Sequence, residues 1–299
     1  MLLHTFFGMS DPVQVEVLSN VIHITPMFVT SLEQRPILRS FVSDNYANIK
    51  SLAEKDSSHT TLLGIDHDHN EVEDVHLLTF RFDTCDAHGL NMINHAAFEA
   101  CQFIAKTLDL EFYHRSHFSG VKHHCPRNKT YGYGRRVKAS VVIPGRALKF
   151  LRVTPLQLKA FNDRCIRCAK AAGTQNVNVH ASNGIAAIFL ACGQDMADLS
   201  SCHVCNTNSE VVNGGKDLYW EIVLPNLLVG TVGGGTVLGT QSECLSIMGC
   251  QGAGNSDKFA ELVAAAALAG EFPTAAAVVN KSYVEVHNAH GRNREPKPC

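Results

Sequence analysis

The stretch "TTLLGIDHDHNEVEDVHLLTFRFD", residues 60 to 83, decides the first part of the fold. Its second half alternates between two faces of a strand, one with His76, Leu78, Phe80 and Phe82 and the other with Leu77, Thr79, Arg81 and Asp83. The apolar run that begins the stretch predicts a partner strand. The two form a hairpin, and "DHDH" at 66–69 is expected to be a solvated turn rather than a metal site.

The segments on either side of this hairpin extend the pattern. "ILRSFV" at 37–42 is predicted to be a strand, and 43–55 a helix capped by Ser43 or Asp44. Apolar residues at helical spacing predict a helix over 87–108, and a strand follows at 109–118. The order strand, helix, two strands, helix, strand is that of a small split βαβ unit.

The sequence after Gly120 has a different pattern. Strands are predicted at 135–144 and 217–225, and helices at 154–173, with Pro155 at the first helical position, and at 180–195. The alanine-rich run at 259–279 contains Glu261, Glu271 and Pro273, which predicts two packed core helices and not a membrane span. The chain is therefore expected to combine helices and sheet in two parts.

Composition limits the classes of function. The chain has 299 residues, 45% hydrophobic and 18% charged, with a net charge of -2. The chain lacks the excess of basic residues that would predict a nucleic-acid partner. The N-terminus lacks the pattern of a signal peptide. The eleven cysteines are expected to be reduced thiols, because a chain of this size needs no disulfides. These features favour a cytoplasmic globular protein.

Two kinds of motif suggest a ligand. The glycine-rich stretch "LLVGTVGGGTVLGTQ" at 227–241 matches neither common nucleotide-binding fingerprint. Two C-x-x-C pairs, Cys165 with Cys168 and Cys202 with Cys205, have zinc-knuckle spacing. One pair lies inside a predicted helix, so buried thiols are favoured over zinc, and no metal is predicted. A zinc-binding structural protein remains the third hypothesis.

Three polar residues stand out, each with an ordinary structural explanation. Lys122, in "SGVKHHC", would be a solvated charge on a loop. Asp195 ends an apolar helix, where a carboxylate commonly bonds to the backbone. His287, near the C-terminus, would lie on the surface.

Together with the glycine-rich stretch, these residues match the pattern of one protein family. "LPNLLVGTVGGGTVL", "HASNGIAAIFLACGQD" and "TCDAHGLNMI" resemble three signature segments of 3-hydroxy-3-methylglutaryl-coenzyme A (HMG-CoA) reductase, in order and at matching separations. The similarity runs from about residue 35 to 294. It implies a mixed α/β (α+β) fold, with a ferredoxin-like cofactor-binding domain at 37–118 inserted in a large domain formed by 1–36 and 119–299.

The resemblance also implies roles for single residues. The family's GDAMGxN cofactor motif corresponds to 85–91, so the NADPH-binding residues would be Asp86, Ala87, His88, Gly89 and Asn91. The catalytic lysine, aspartate and histidine correspond to Lys122, Asp195 and His287. The residues implied for the coenzyme A thioester substrate are His180, Asn183 and His123.

Those residue types suit the implied chemistry, the reduction of HMG-CoA to mevalonate by a homo-oligomer. A lysine stabilises negative charge on the carbonyl oxygen as hydride arrives, an aspartate orients the lysine, and a histidine protonates the departing thiolate. The chain departs from the family in five ways. It contains no T-E-G glutamate motif and no dimerisation segment. The family's DKK motif, which carries the catalytic lysine, is replaced by Val121, Lys122 and His123. In the cofactor motif, Cys85 replaces a glycine and His88 replaces a methionine. The glycine-rich lead into "HASN" has also become "AAGTQNVNV". A non-catalytic or repurposed homologue, or a fragment, is therefore the alternative.

Overall fold

The computed structural model describes residues 10–68, 72–174 and 176–290. Its strands are β1 Gln14–Ile24, β2 Met27–Val29, β3 Thr61–Asp68, β4 Val75–Asp83, β5 Phe112–Tyr113, β6 Gly134–Ile143, β7 Asn206–Val212 and β8 Asp217–Leu227. Its α-helices are α1 Gln34–Asp44, α2 Tyr46–Glu54, α3 Leu90–Leu108, α4 Pro126–Tyr131, α5 Gly145–Phe150, α6 Pro155–Ala172, α7 Ala181–Ala191, α8 Leu199–Cys202, α9 Gly239–Ile247, α10 Ser256–Val279 and α11 Tyr283–His290. The predicted mixed α/β class is confirmed.

One antiparallel sheet of eight strands runs through the described chain, in the order β5-β2-β4-β1-β6-β8-β7, with β3 paired to β4. Strand β1 belongs to both halves of this sheet, because residues 14–21 pair with β6 and residues 22–24 pair with β4. The long strand therefore fixes the smaller half, β1 to β5, against the larger half, β6 to β8.

The smaller half contains the predicted hairpin. Strands β3 and β4 pair as expected, and Phe80 and Phe82 are buried in the core with residues of α3. The residues at 66–68 lie in β3 rather than in a turn, whereas His69 lies outside the described residues. Asp68 is only 8% exposed and pairs with Arg127, so the expectation of a solvated turn was wrong there.

The strand predicted at 37–42 was also wrong, because these residues lie in α1. Leu38 and Val42 are buried one helical turn apart. Ser31 and Gln34 exchange hydrogen bonds before the helix, the reciprocal pattern of a capping box. On the edge of β4 that faces away from β3, the partners are instead residues 22–24 of β1 and 27–29 of β2. The division of the chain at residues 37 and 118 stays a prediction.

The alanine-rich run forms a single helix, α10, and not the predicted pair. Pro273 lies inside this 24-residue helix. Proline removes one backbone hydrogen bond, but Leu268, Phe272 and Ala276 are buried on either side of it and stabilise the continuous helix. By length and hydropathy α10 could cross a membrane, and 44% of its most apolar window is buried within the protein. It packs against α7, β1, β6 and β8.

Candidate active site

A cleft of about 620 Å³ lies where several loops meet beside the N-terminus of α3, within the volume range of small-molecule sites. Its walls come from the segments 87–92 and 193–195, the glycine-rich loop, and single side chains from elsewhere. Those side chains are Asn94, Arg115 and Lys122. The cleft therefore collects most of the sequence features that suggested a ligand.

The glycine-rich loop is close-packed against the rest of the cleft. A Cβ atom at Gly230 would lie 2.5 Å from the backbone nitrogen of His88, and one at Gly235 would lie 2.5 Å from the carbonyl oxygen of Gly193. Both distances are far shorter than a carbon atom tolerates. Glycine at these positions lets the loop pass directly against the other two walls of the cleft.

Hydrogen bonds fix this contact. The Gln194 side chain donates to the carbonyl of Gly230 and accepts from its N–H, each at 2.9 Å. Thr231 donates its N–H to the carbonyl of Asp86, also at 2.9 Å. The Gln194 side chain and backbone groups therefore hold the three walls together.

Lys122 and Asp195 meet at the edge of the cleft. Lys122 Nζ donates to Asp195 Oδ2 at 2.6 Å, and each side chain is 37% exposed. Lys122 has a φ of 58°, a left-handed conformation that is uncommon for residues other than glycine. Partial burial acts to raise the pKa of the Asp195 carboxyl, but hydrogen bonds from Lys122 and from the backbone of Ala197 outweigh it, so this pKa lies below its ordinary value.

His88 forms a second polar pair in the same cleft. Its Nε2 lies 2.8 Å from Oδ2 of Asp198, which is fully buried. Tyr133 donates its hydroxyl to the other Asp198 oxygen at 2.6 Å and accepts the backbone N–H of Lys122 at 3.2 Å. Burial, followed by the neighbouring Asp198 carboxylate, holds the pKa of Tyr133 well above its usual range.

Sequence reasoning missed Asp198 and Tyr133. Asp198 lies three positions after Asp195 in "GQDMAD", a short-range signal that a second carboxylate belongs to the site. Tyr133 carries no comparable signal, because only the fold brings it to Lys122 and Asp198.

Ligand atoms of His88, Asp195 and Asp198 lie within 4.8 Å of one another, the one group of this kind in the described part of the chain. Their oxygens already accept from Lys122, the Ala197 backbone and Tyr133. A lysine ammonium beside Asp195 would also repel a divalent cation. The group is therefore a hydrogen-bonded network of acids and bases.

The cofactor segment predicted at 86–91 forms one wall. Asp86 accepts from Ser256 Oγ at 2.6 Å and from the backbone of Gly254 at 2.8 Å. Partial burial opposes these bonds, which nevertheless leave the pKa of Asp86 below its ordinary value. Asp86 thus joins the wall to the start of α10, whereas Ala87, His88, Gly89 and Asn91 line the cleft.

The remaining predicted residues lie elsewhere. His180 and Asn183 lie at the start of α7, whereas Asp195 follows its end, and about ten helical residues at 1.5 Å each separate these positions by roughly 15 Å. His123 is exposed beside His117. His287, on α11, is exposed, and its ring lies against that of Tyr283. These four residues do not line the cleft as described, and their roles stay predictions.

Comparison with known proteins identifies the family of the chain. Residues 5–292 match the model of the hydroxymethylglutaryl-coenzyme A reductase family. The chain belongs to this family. It is 36% identical to HMG-CoA reductase of Haloferax volcanii over 277 residues, covering 89% of this chain and 68% of that protein. It is also 36% identical to HMG-CoA reductase of Agrotis ipsilon over 265 residues, but there it spans only 31% of the relative's length.

Solved structures of HMG-CoA reductases share the fold. The class II enzyme from Streptococcus pneumoniae, solved bound to NADPH in open conformations, aligns with a TM-score of 0.70 at 16% identity, covering 93% of this chain and 76% of that one. A second structure of that reductase aligns with a TM-score of 0.72 at 15% identity. At this level of identity the similarity establishes the fold of the chain and no more.

The departures from the HMG-CoA reductase motifs can now be located. Cys85, which replaces a motif glycine, has a φ of 51°, so the backbone there keeps a conformation that suits glycine. His88, which replaces a methionine, points its Nε2 at Asp198. The C-x-x-C cysteines are free thiols, and the described residues do not bring them into one metal-binding group.

Proposed function

We propose that the chain is an NADPH-dependent reductase of a coenzyme A thioester, with HMG-CoA as substrate and mevalonate as product. The observation that supports this most is the Lys122–Asp195 ion pair at the mouth of a cleft whose walls are the cofactor segment and the glycine-rich loop. A lysine fixed by an ion pair at the edge of a cleft is suited to thioester reduction.

Each hydride transfer places negative charge on the carbonyl oxygen of the substrate. The ammonium of Lys122 would stabilise that charge as it develops, because its position is fixed before the reaction. Asp195 keeps the ammonium oriented by the 2.6 Å hydrogen bond. Asp195 also accepts the Ala197 N–H, and this second bond limits rotation of the carboxylate. The Lys122–Asp195 pair therefore acts as a preorganised electrophile.

The cleft also has features that fit the cofactor. Oδ1 of Asn94 is buried and has no hydrogen-bond partner among the described residues, although Asn94 lines the cleft. Such an acceptor suits the carboxamide N–H₂ of nicotinamide. Helix α3 has Gly89 as its N-cap and therefore no side-chain cap, so the first N–H groups of the helix and Arg115 suit the phosphates. When bound, NADPH would supply the hydride.

The thiolate of coenzyme A needs a proton as it departs. His287 keeps that role as a prediction from the resemblance. The position of α11 outside the cleft implies that His287 acts only if this helix moves towards the substrate.

The exposed apolar side chains of α7, α9 and the turn before α9 favour the proposal of a homo-oligomer. Leu190, Val237, Leu238 and Ile247 are each more than half exposed, which is costly for a monomer in water.

The described cysteines are all free thiols, and this favours the proposed cytoplasmic location.

The test is NADPH oxidation measured with HMG-CoA and, separately, with mevaldehyde. We expect turnover with both substrates and a loss of at least 100-fold in kcat for Lys122→Ala. Lys159→Ala is the matched control, because Lys159 forms an equally short ion pair with Asp163 on helix α6, away from the cleft. Equal rates for the parent and Lys122→Ala would contradict the proposal. Cofactor binding without turnover would favour a repurposed homologue.

A further inference from the structure

The His88–Asp198 pair is a feature of the cleft that the proposed function leaves unused. Asp198 has 0% side-chain exposure, whereas His88 retains 24%. A carboxylate removed from water is stable only when its oxygens are bonded. Here His88 Nε2 and the Tyr133 hydroxyl each bond to one oxygen.

The arrangement leaves the other nitrogen of His88 available. The Nδ1 atom has no hydrogen bond with the described residues. It is also not fully buried. Solvent therefore reaches it through the cleft. A histidine oriented by a buried aspartate through one nitrogen, with the other towards a substrate site, is the arrangement that enzymes use for proton transfer.

The pair is also fixed relative to Lys122. Tyr133 joins Asp198 to the backbone N–H of Lys122. A ring nitrogen of His88 and a carboxylate oxygen of Asp195 lie within 4.8 Å, and Asp195 holds Lys122 Nζ. Lys122 and His88 therefore belong to one hydrogen-bonded network at the cleft.

We infer that His88 is the general acid that protonates the oxygen stabilised by Lys122, and that Asp198 is its positioning residue. The inference rests on the proposed reductase function. When bound, the nicotinamide cofactor would supply the hydride for the new C–H bond, and the π electrons of the carbonyl would move to oxygen. That oxygen takes the proton from Nδ1 of the imidazolium. Neutral His88 then keeps Nε2–H bonded to Asp198 and recovers a proton from solvent.

This role differs from the one predicted for His287. Oxygen protonation occurs in the reduction of both the thioester and the aldehyde, whereas a thiolate departs only from the thioester. A change at His88 therefore affects mevaldehyde reduction, and a change at an acid that serves only the thiolate does not. Mevaldehyde thus separates the two histidines.

The decisive variant is His88→Gln, which can still donate a hydrogen bond to Asp198 but cannot transfer a proton. At saturating NADPH we expect kcat to fall about 100-fold or more with both substrates, within the range for general acid catalysis. Asp198→Asn should lower kcat about tenfold or more, because the ring loses its orientation. His95→Gln and Asp56→Asn are the matched controls, since those residues form a similar pair, at 3.0 Å, on the exposed side of α3.

Dependence on pH provides a readout that a structural role would not affect. The imidazolium is the active form, so the parent rate with mevaldehyde should fall along a high-pH limb that is absent in His88→Gln. The titratable and charged groups around the imidazole are Asp86, Asp195, Asp198, Lys122, Tyr133 and Arg115. Without any ligand, ¹⁵N NMR of the neutral ring should report the Nε2–H tautomer.

Each result decides the matter. If His88→Gln reduces mevaldehyde as fast as the parent, or if the ring is the Nδ1–H tautomer, the inference is overturned while the reductase function stands. If the parent reduces neither substrate, the reductase function and the inference fail together. A loss confined to HMG-CoA would assign His88 to the thiolate and overturn oxygen protonation.

Discussion

Burial of Glu271 predicts that stability depends on pH in an unusual direction. Glu271, on α10, is 1% exposed and accepts the backbone N–H groups of Val179 and His180 at the start of α7. Burial nevertheless outweighs these bonds and raises the pKa of Glu271 from its usual 4.5 to about 7. At about 1.36 kcal/mol per pH unit, this shift corresponds to about 3 kcal/mol in the free energy of unfolding.

The sign follows from proton uptake. Between pH 4.5 and about 7 the folded chain holds a proton on Glu271 that the unfolded chain has lost. The contribution of Glu271 to stability is therefore greatest below pH 4.5 and decreases as pH rises towards 7. Glu271→Gln has no such titration, so its stability relative to the parent should improve by about 3 kcal/mol across this window.

Urea unfolding of the parent and Glu271→Gln from pH 4.5 to 8 measures this difference. Glu261→Gln, on the same helix, controls for the loss of a carboxylate from α10. A constant difference between the parent and Glu271→Gln across the range would refute the reasoning, and so would a parent that gains stability relative to the variant as pH rises.

Three further changes test the site and its support. Gly230→Ala places a methyl group against the backbone of 86–88, so we expect unfolding free energy to fall by about 1–3 kcal/mol and NADPH affinity measured by fluorescence to fall with it; unchanged stability would contradict the close contact. Asp195→Asn should lower kcat about 100-fold and leave NADPH binding intact, whereas full activity would remove the ion pair from the mechanism. Thr154→Ala loses the capping box of α6 and should cost about 1 kcal/mol in thermal unfolding, with turnover preserved; a loss of kcat would show that α6 affects the cleft.

The sequence predicted those parts of the fold where local pattern and burial agree. The hairpin of β3 and β4 follows from alternation, and α6 from Thr154 and Pro155. The segment 37–42 failed because its apolar residues suit either a strand or a helix, and the deciding signal, Ser31 with Gln34, lies outside it. The prediction that Pro273 ends a helix was wrong because tertiary packing outweighed the lost hydrogen bond.

The candidate site was predictable only in part, for a related reason. The resemblance supplied Lys122 and Asp195, and the fold brings them to 2.6 Å. The partnership of His88 with Asp198 spans 110 positions, and no pattern in either segment signals it. Such pairs follow from tertiary structure, since only the fold determines which distant side chains share a buried site.

Backbone packing explains why these distant groups meet with fixed geometry. The glycines at 193, 230 and 235 allow three segments to approach more closely than any side chain permits, and Gln194 bonds to the glycine-rich loop through both of its amide atoms. His88 and Asp195 therefore project from backbone that these contacts hold, and Asp195 in turn positions the Lys122 ammonium. Electrostatic stabilisation depends on dipoles and charges that need no reorganisation during the reaction. A rigid glycine-rich loop should therefore make Lys122 a more effective electrophile. A substitution that loosens the loop should lower kcat even where it touches no substrate.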